Sequence, residues 1–511
     1  MRRSIVATTV ASLLFFATAC GGTDDAGSEG GADATLTLGS IVPPSSFAIG
    51  EMASSGPADN YYQAVYDRLM HLDADGKPVA GLATDWSYDD TGLRLALTLR
   101  DGVTFTDGTA FDAEAVKANL EKAKAASGEA GSALRAVDRV EVVDATHADV
   151  VLSRPDPGLV DALARSSGFM ASPTALAGPD LATAPVGSGP YVLDADATTA
   201  GSDYVYTRNA DYWDADSYPY DEIEIKFLDD TTAQLNGLRS GELSAVGGVS
   251  TADVVSGAKS AGLNVVTYLN GTIEGLYLWD RDGALAPALG DVRVRQAINY
   301  AMDRDTLVEV VKGGLGEPTE QVFAPSSDGY DEALAGTYDF DLDKAKQLMA
   351  EAGYADGFAL TLPDFSPVFP DEQAAMTEAL SSIGIQVTYQ PITADQVVSS
   401  IMGGQWPLNF FGLTAASPFE MAGLTLTPQS PFNPFKSADP AVTDLLTQAS
   451  SATGDAQADA LQKLSKQLVD QAWFAPWDAQ EAAAITAAGV DVTPIPGVSS
   501  PPLSGYAPAG S

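Results

Sequence analysis

Cysteine is almost missing from this chain: Cys20 is the only one in 511 residues. A lone cysteine excludes an internal disulfide framework and any thiolate-based metal centre. Histidine is nearly as scarce, with only His71 and His147. No His-Glu-x-x-His pair, Gly-x-Ser-x-Gly elbow, phosphate loop or Gly-x-Gly-x-x-Gly turn occurs, so the common zinc, serine and nucleotide chemistries lack their signatures. Positive charge is scarce too. Lys and Arg number 27 against 69 Asp and Glu, a formal charge of −42. Such a surface repels nucleic acid and anionic headgroups, and it favours a soluble monomer. Beyond the first twenty residues there is no apolar run long enough to span a bilayer. Disorder is excluded as well, because 45% of the residues are hydrophobic.

What the chain does have begins at its start. Arg2-Arg3 forms a short positive segment, Ile5 to Phe16 is mostly apolar, and Ala17-Thr18-Ala19 places small residues before Cys20. This is the pattern of an export signal, too short for a spanning helix. It resembles the lipobox of bacterial lipoproteins, with Ala17 where Leu is usual. The resemblance implies cleavage after residue 19, diacylglyceryl attachment at Cys20, and anchoring to the outer face of the bacterial cytoplasmic membrane. Residues 20–33 are rich in Gly, Ser and Asp, as expected of a flexible tether.

The remaining candidates for chemistry are weak. His71 precedes Leu72-Asp73-Ala74-Asp75-Gly76, and His147 follows Asp144-Ala145-Thr146; both read as surface residues. Ser256-Gly257-Ala258-Lys259 has the Ser-x-x-Lys spacing of penicillin-binding enzymes without its partner motifs. Asp73-x-Asp75-Gly76 has part of a calcium loop, but His71 and Leu82 occupy the positions that need carboxylates. No enzyme, metal or cofactor is expected. A lipoprotein hydrolase and a purely structural surface lipoprotein are the rival classes.

Elements of both kinds alternate along the chain. Thr35–Gly39, Leu93–Leu99 and Ile223–Phe227 alternate polar and apolar residues as strands do. Helices are expected behind Asp112, at Thr231 or Thr232, behind Asp291, and behind Asp303 or Asp305 up to Gly313-Gly314. Further helices are expected over 341–352 and, as a pair, over 439–472. The chain exceeds what one core holds, about 250–300 residues, so at least two lobes are needed. The fold class is α/β to α+β, with mixed sheets in separate lobes.

Five segments in order then resemble the family 5 extracellular solute-binding proteins, the dipeptide, oligopeptide and nickel receptors of ATP-binding-cassette (ABC) importers. They are Tyr66-Asp67-Arg68-Leu69 through Asp85-Trp86; Leu99-Arg100-Asp101-Gly102-Val103 through Val116; and Pro185-Val186-Gly187-Ser188-Gly189-Pro190-Tyr191 with Arg208–Trp213 and Leu238–Glu242. The last two are Asp291-Val292-Arg293-Val294-Arg295-Gln296-Ala297 with Ala301–Arg304, and Asp343–Tyr354. Arg293 and Arg295 face different sides of one helix, so at most one should reach an interdomain partner.

The resemblance implies a two-lobed periplasmic-binding-protein-like fold with an inserted domain and a hinge. Lobe I would comprise 34–60, 185–271 and 475–511, the inserted domain 61–184, and lobe II 272–474. The chain would cross between lobes near Asn270-Gly271 and near Phe474-Ala475-Pro476. The resemblance also implies capture of a small solute in the interlobe cleft and delivery to ABC permease subunits. A peptide or peptide-like compound is the family's usual cargo; a sugar or metal chelate is the alternative. By the same resemblance, cleft contacts are expected from Ser46 and Phe47 after the first strand, from Trp279, and from Trp406, Asn409 and Phe410 late in lobe II. Peptide-binding relatives often carry an Asp after that late loop, to pair with the ligand's ammonium group. Here Thr414 to Glu420 contains no Asp, and Glu420 is the nearest carboxylate.

Overall fold

The computed structural model describes residues 34–52, 56–126, 129–393, 396–415 and 417–510. The expected signal, Cys20 and the whole tether lie outside the described residues. The helix starts follow the Asp residues. Side chains of Asp112, Asp291, Asp303, Asp341 and Asp439 accept from the backbone N–H of Ala115, Arg293, Thr306, Lys344 and Ala441, each satisfying a donor the helix cannot. The helix expected at Thr231 or Thr232 runs Thr231–Ser240, with Asp230 as its cap. The helix expected after Asp303 is a single α-turn, Arg304–Thr306, running into a π-helix, Leu307–Val311.

One mixed sheet of nine strands runs through both lobes. In the first lobe Thr35–Ser40 pairs in parallel with Glu222–Phe227 and with Ala245–Val249. The strands Asn264–Leu278 and Phe474–Thr486 then pair antiparallel along nearly their whole length and carry the sheet into the second lobe, where Leu408–Thr414 joins it. The lobes' sheets are therefore not separate, as the sequence suggested: two long strands are shared. Residues 83–152, within the expected insert, form their own four-stranded antiparallel sheet. Their apolar side chains, such as Leu95, Leu97 and Val150, join the first lobe's core with Leu36 and Tyr206. The second lobe has its own cores, around Leu276, Ile298 and Trp477 and around Trp279, Trp406 and Leu464.

The pairing of the two shared strands slips between Leu269 and Ile273. Gln480 lies opposite the slip, and Asn270 Nδ2 donates to Gln480 Oε1 at 2.6 Å. Gly271 sits there with φ of +83°, and a Cβ would come 3.1 Å from the Cα of Gly497. Both the conformation and the close approach require glycine. Gln480 stands opposite Asn270-Gly271, while the resemblance puts the return crossing near Phe474-Ala475-Pro476. Those three residues pair with Tyr277, Leu276 and Gly275 inside the second lobe. Pro476 reads as a break in sequence, but it lies at a second slip, beside Gly275, where a missing N–H is tolerated.

The Arg-rich motif after Asp291 is scaffold. Arg293 lies outside, 2.6 Å from Asp291 Oδ2. Arg295 is buried and donates to the carbonyls of Leu289, Gln471 and Ala472. Arg304, also buried, donates to the carbonyls of Pro476, Thr319 and Tyr338. Neither reaches the other lobe through these bonds; each ties loops of the second lobe together.

Candidate functional site

Two adjoining cavities, about 340 and 420 Å³, lie between the wall built by residues 154–167 and the second lobe. They meet at Pro157, Asp161, Arg165, Ser417 and Phe419. Each falls within the roughly 300–1,000 Å³ of small-molecule pockets. The smaller reaches Gly271, Ile273 and Gly497. The larger extends past Glu420 to Leu446 and Ser450.

One wall is the short helix Leu159–Leu163, which packs Leu159 and Leu163 inward. That burial leaves Asp161 on the cleft side, and Arg165, four residues on, falls on the same face. The facing wall is the helix Pro418–Thr425. Ser417 caps it, accepting from Glu420 N–H at 3.3 Å, and Pro418 at its first position needs no donor partner. The walls come close: a Cβ on Gly158 would lie 3.4 Å from Phe419 Cβ and 3.9 Å from Ser417 Oγ. At the smaller cavity, Lys77 Nζ lies 3.5 Å from Asp328 Oδ1, joining the two sides. Both ends of that pair are well exposed, so it adds at most about 1 kcal/mol.

The waist of the cleft is electrostatically unusual. Burial pushes the Asp161 carboxyl up to about 6; Arg165 and a hydrogen bond with Ser417 oppose this, while Glu420 and Asp328 reinforce it. Burial also lowers the Arg165 guanidinium, partly offset by Glu420 and Asp161. Arg165 Nη1 donates to the Gly497 carbonyl at 3.1 Å, but its buried Nε–H has no hydrogen-bond partner. A cation with a spare donor thus sits beside acids from both walls. Aromatic and aliphatic groups, including Phe323, Phe419 and Ile273, line the remainder. This arrangement can hold a small molecule carrying both an anionic and a cationic group.

Of the residues singled out from sequence, Glu420 lines the larger cavity. The other expected contacts lie elsewhere. Trp279 is wholly buried, stacked on Tyr277 and Phe432, with Nε1 donating to Asn409 Oδ1 at 2.6 Å. Trp406 is buried, its Nε1 donating to Ser400 Oγ. Phe410 packs on Trp477 at 4.8 Å. Phe47 is buried against Tyr62 and Tyr204, and Ser46 Oγ donates to Glu51 Oε2 within its own loop. None of the six lines either cavity. Leu408–Phe410 is covered on both faces, so its aromatic run is core packing. Arg165, Asp161 and Ser417 carried no expectation. The only signal for the first two is their spacing of four beside a Pro-Gly turn.

The rival chemistries stay apart from the cleft. Ser256 and Lys259 are exposed on the helix Ala252–Ser260. His71 is half-buried and not a free surface residue: its Nε2 lies 2.6 Å from Asp67 Oδ1, while Asp67 Oδ2 accepts from Trp213 Nε1. His147 pairs with Asp144 on the surface. Asp73 Oδ1 accepts from the backbone of Asp75 and Lys77, closing its own turn.

Comparison with known proteins gives the family and the fold. The model of the bacterial extracellular solute-binding proteins, family 5, matches residues 77–432. The glutathione-binding protein GsiB of Salmonella paratyphi A is 30% identical over 360 residues, 68% of this chain and 67% of that protein. Its counterpart in Escherichia coli K12 is 27% identical over 445 residues, 83% of each chain. Among solved structures, HbpA2 from Haemophilus parasuis aligns with a TM-score of 0.80 at 20% identity, over 93% of this chain and 99% of that one. The periplasmic binding protein DppA from Helicobacter pylori, in complex with the peptide STSA, aligns with a TM-score of 0.73 at 21% identity, over 93% and 98%. This chain belongs to the family 5 extracellular solute-binding proteins.

Proposed function

We propose that the protein captures a peptide or peptide-like zwitterion at the waist of its interlobe cleft and delivers it to an ABC permease. The observation that carries this reading is the half-buried Arg165, whose buried Nε–H has no hydrogen-bond partner, set among Asp161, Glu420 and Asp328. Arg165 offers an N–H to a carboxylate; Asp161 and Glu420 offer counter-charge to an ammonium. The GsiB relatives, which bind glutathione by name, and the peptide-bound neighbour add weight.

A pH dependence follows. With no ligand, Asp161 is half-protonated near pH 6. An ammonium group beside it favours the ionised form, so binding at pH 5–6 should release a proton. Affinity for glutathione or a free dipeptide should therefore rise as pH increases from 5 to 7, by at most about tenfold per unit, then level. Titration calorimetry in two buffers of different ionisation enthalpy reads both quantities. Peptide binding without proton release, or tight binding of neutral sugars and none of peptides, contradicts the reading.

The same reading places the protein outside the cytoplasmic membrane, held by lipid at Cys20. No described helix is long and apolar enough to cross a membrane. Two acyl chains give stable anchoring at about 0.8 kcal/mol per buried CH₂. Cys20→Ala should release the protein into the medium or block its processing, as fractionation and mass spectrometry would show. A variant that stays membrane-bound and normally processed contradicts the anchor.

A further inference from the structure

Just inside the second lobe, the two shared strands bring acids face to face. Glu274 and Asp478 are cross-strand partners, 6% and 0% exposed. Lys312, placed by the π-turn before it, has its Nζ 2.5 Å from Glu274 Oε2 and 3.4 Å from Glu372 Oε1. Neither carboxyl oxygen of Asp478 has a hydrogen-bond partner. Packing is tight: a Cβ on Gly316 would lie 2.5 Å from Asp478 Oδ2. Three carboxyls share one ammonium. Fully ionised, the group would leave two negative charges uncompensated in a dry site, with like charges directly opposite in the ladder. A neutral chain leads from it to the hinge: Gln480 Nε2 donates to Glu274 Oε1, and Asn270 Nδ2 to Gln480 Oε1.

We propose that Glu274, Asp478, Glu372 and Lys312 form a proton-holding brace beside the hinge, in which Asp478 keeps its proton at neutral pH and losing it weakens the pairing of the two shared strands. Burial and then Glu274 lift the Asp478 carboxyl to about 8; Lys312 works against them and Glu372 with them. Lys312 is held charged, because Glu274, Asp478 and Glu372 outweigh its own burial. The other charged groups nearby are turned elsewhere. Glu317, on the neighbouring strand Gly316–Pro318, pairs opposite Ala479 and is exposed. Glu309 on the π-helix is exposed, and Arg304 meets the Pro476 and Thr319 carbonyls.

The sign is fixed by linkage. An unfolded Asp ionises near 3.8, so between that value and about 8 the folded protein holds one more proton than the unfolded. Stability falls as pH rises through this window and levels above it. The test is chemical denaturation from pH 5 to 9.5 of the wild type, Asp478→Asn, which mimics the protonated acid, and Glu372→Gln, with no ligand needed. The unfolding equilibrium constant of the wild type relative to Asp478→Asn should rise about tenfold per pH unit to about pH 8, then flatten. For Glu372→Gln, one acid poorer, the bend should move to lower pH. A wild-type-to-Asn ratio independent of pH overturns the proposal. If Asp478→Asn does not fold, a Glu372→Gln profile that superimposes on the wild type's overturns it alone.

Discussion

Truncating Trp279 to alanine should cost about 3–5 kcal/mol of stability, measured by denaturant unfolding. The indole has no exposed surface, stacks between Tyr277 and Phe432, and meets the edge of Phe411. Its removal leaves a cavity that the paired strands around it cannot close, and it strips Asn409 Oδ1 of its buried donor. Where the variant stays folded, solute affinity should change little, because Trp279 lines neither cavity. The opposite pattern, with stability kept and affinity lost, would return Trp279 to the ligand site. Trp406→Ala should behave alike, since it is buried in the same core.

Replacing Arg165 with methionine should do the reverse. Methionine keeps much of the apolar stem but removes the charge and the Nε–H. Truncating one partner of a buried, hydrogen-bonded charge pair costs about 2–5 kcal/mol, so affinity for a carboxylate-bearing solute should fall at least roughly 30-fold. Stability should move less, because among the described residues the hydrogen bond of the Arg165 side chain is to the Gly497 carbonyl. A second readout separates this from simple misfolding. Without the guanidinium, Asp161 loses the charge that opposes its rise, so its titration should shift above about 6. An affinity unchanged by Arg165→Met would place the solute's anionic group elsewhere.

The scaffold was more legible than the site, for a physical reason. Helix starts are local: an Asp side chain and the N–H two or three residues on are enough, and Asp112, Asp291 and Asp341 could be read one by one. The family segments mark such local turns and the carbonyl-binding Arg295 and Arg304. The cleft is assembled from segments far apart in sequence, residues 154–167 and 414–424. Each is unremarkable alone. Arg165 gains its character only when Gly497, Asp161 and Glu420 surround it. The aromatic stretch near Trp406 is ambiguous for a related reason. A strand covered on both faces has no polar side, so its pattern cannot separate a ligand wall from a core. Pro476 likewise reads as a strand end, and only the slip beside Gly275 shows why the strand continues.

Closure of the two walls gives the cleft its chemistry. The close approach of Gly158 to Phe419 puts Glu420 in the same cavity as Asp161 and Arg165. Low solvation is what lifts Asp161 and what makes a spare donor on Arg165 valuable. A solute that bridges both walls adds contacts available only in the closed arrangement, and so shifts the population toward it.

The most direct test of the account is a crystal structure of the protein loaded with the tightest-binding peptide found by calorimetry, with glutathione the first to try. The account predicts ligand density between the two walls, a carboxylate within hydrogen-bond distance of Arg165 Nε, and an ammonium group facing Asp161 or Glu420. A ligand seated against Trp279, Trp406 or Phe47, or one that leaves Arg165 untouched, would contradict it.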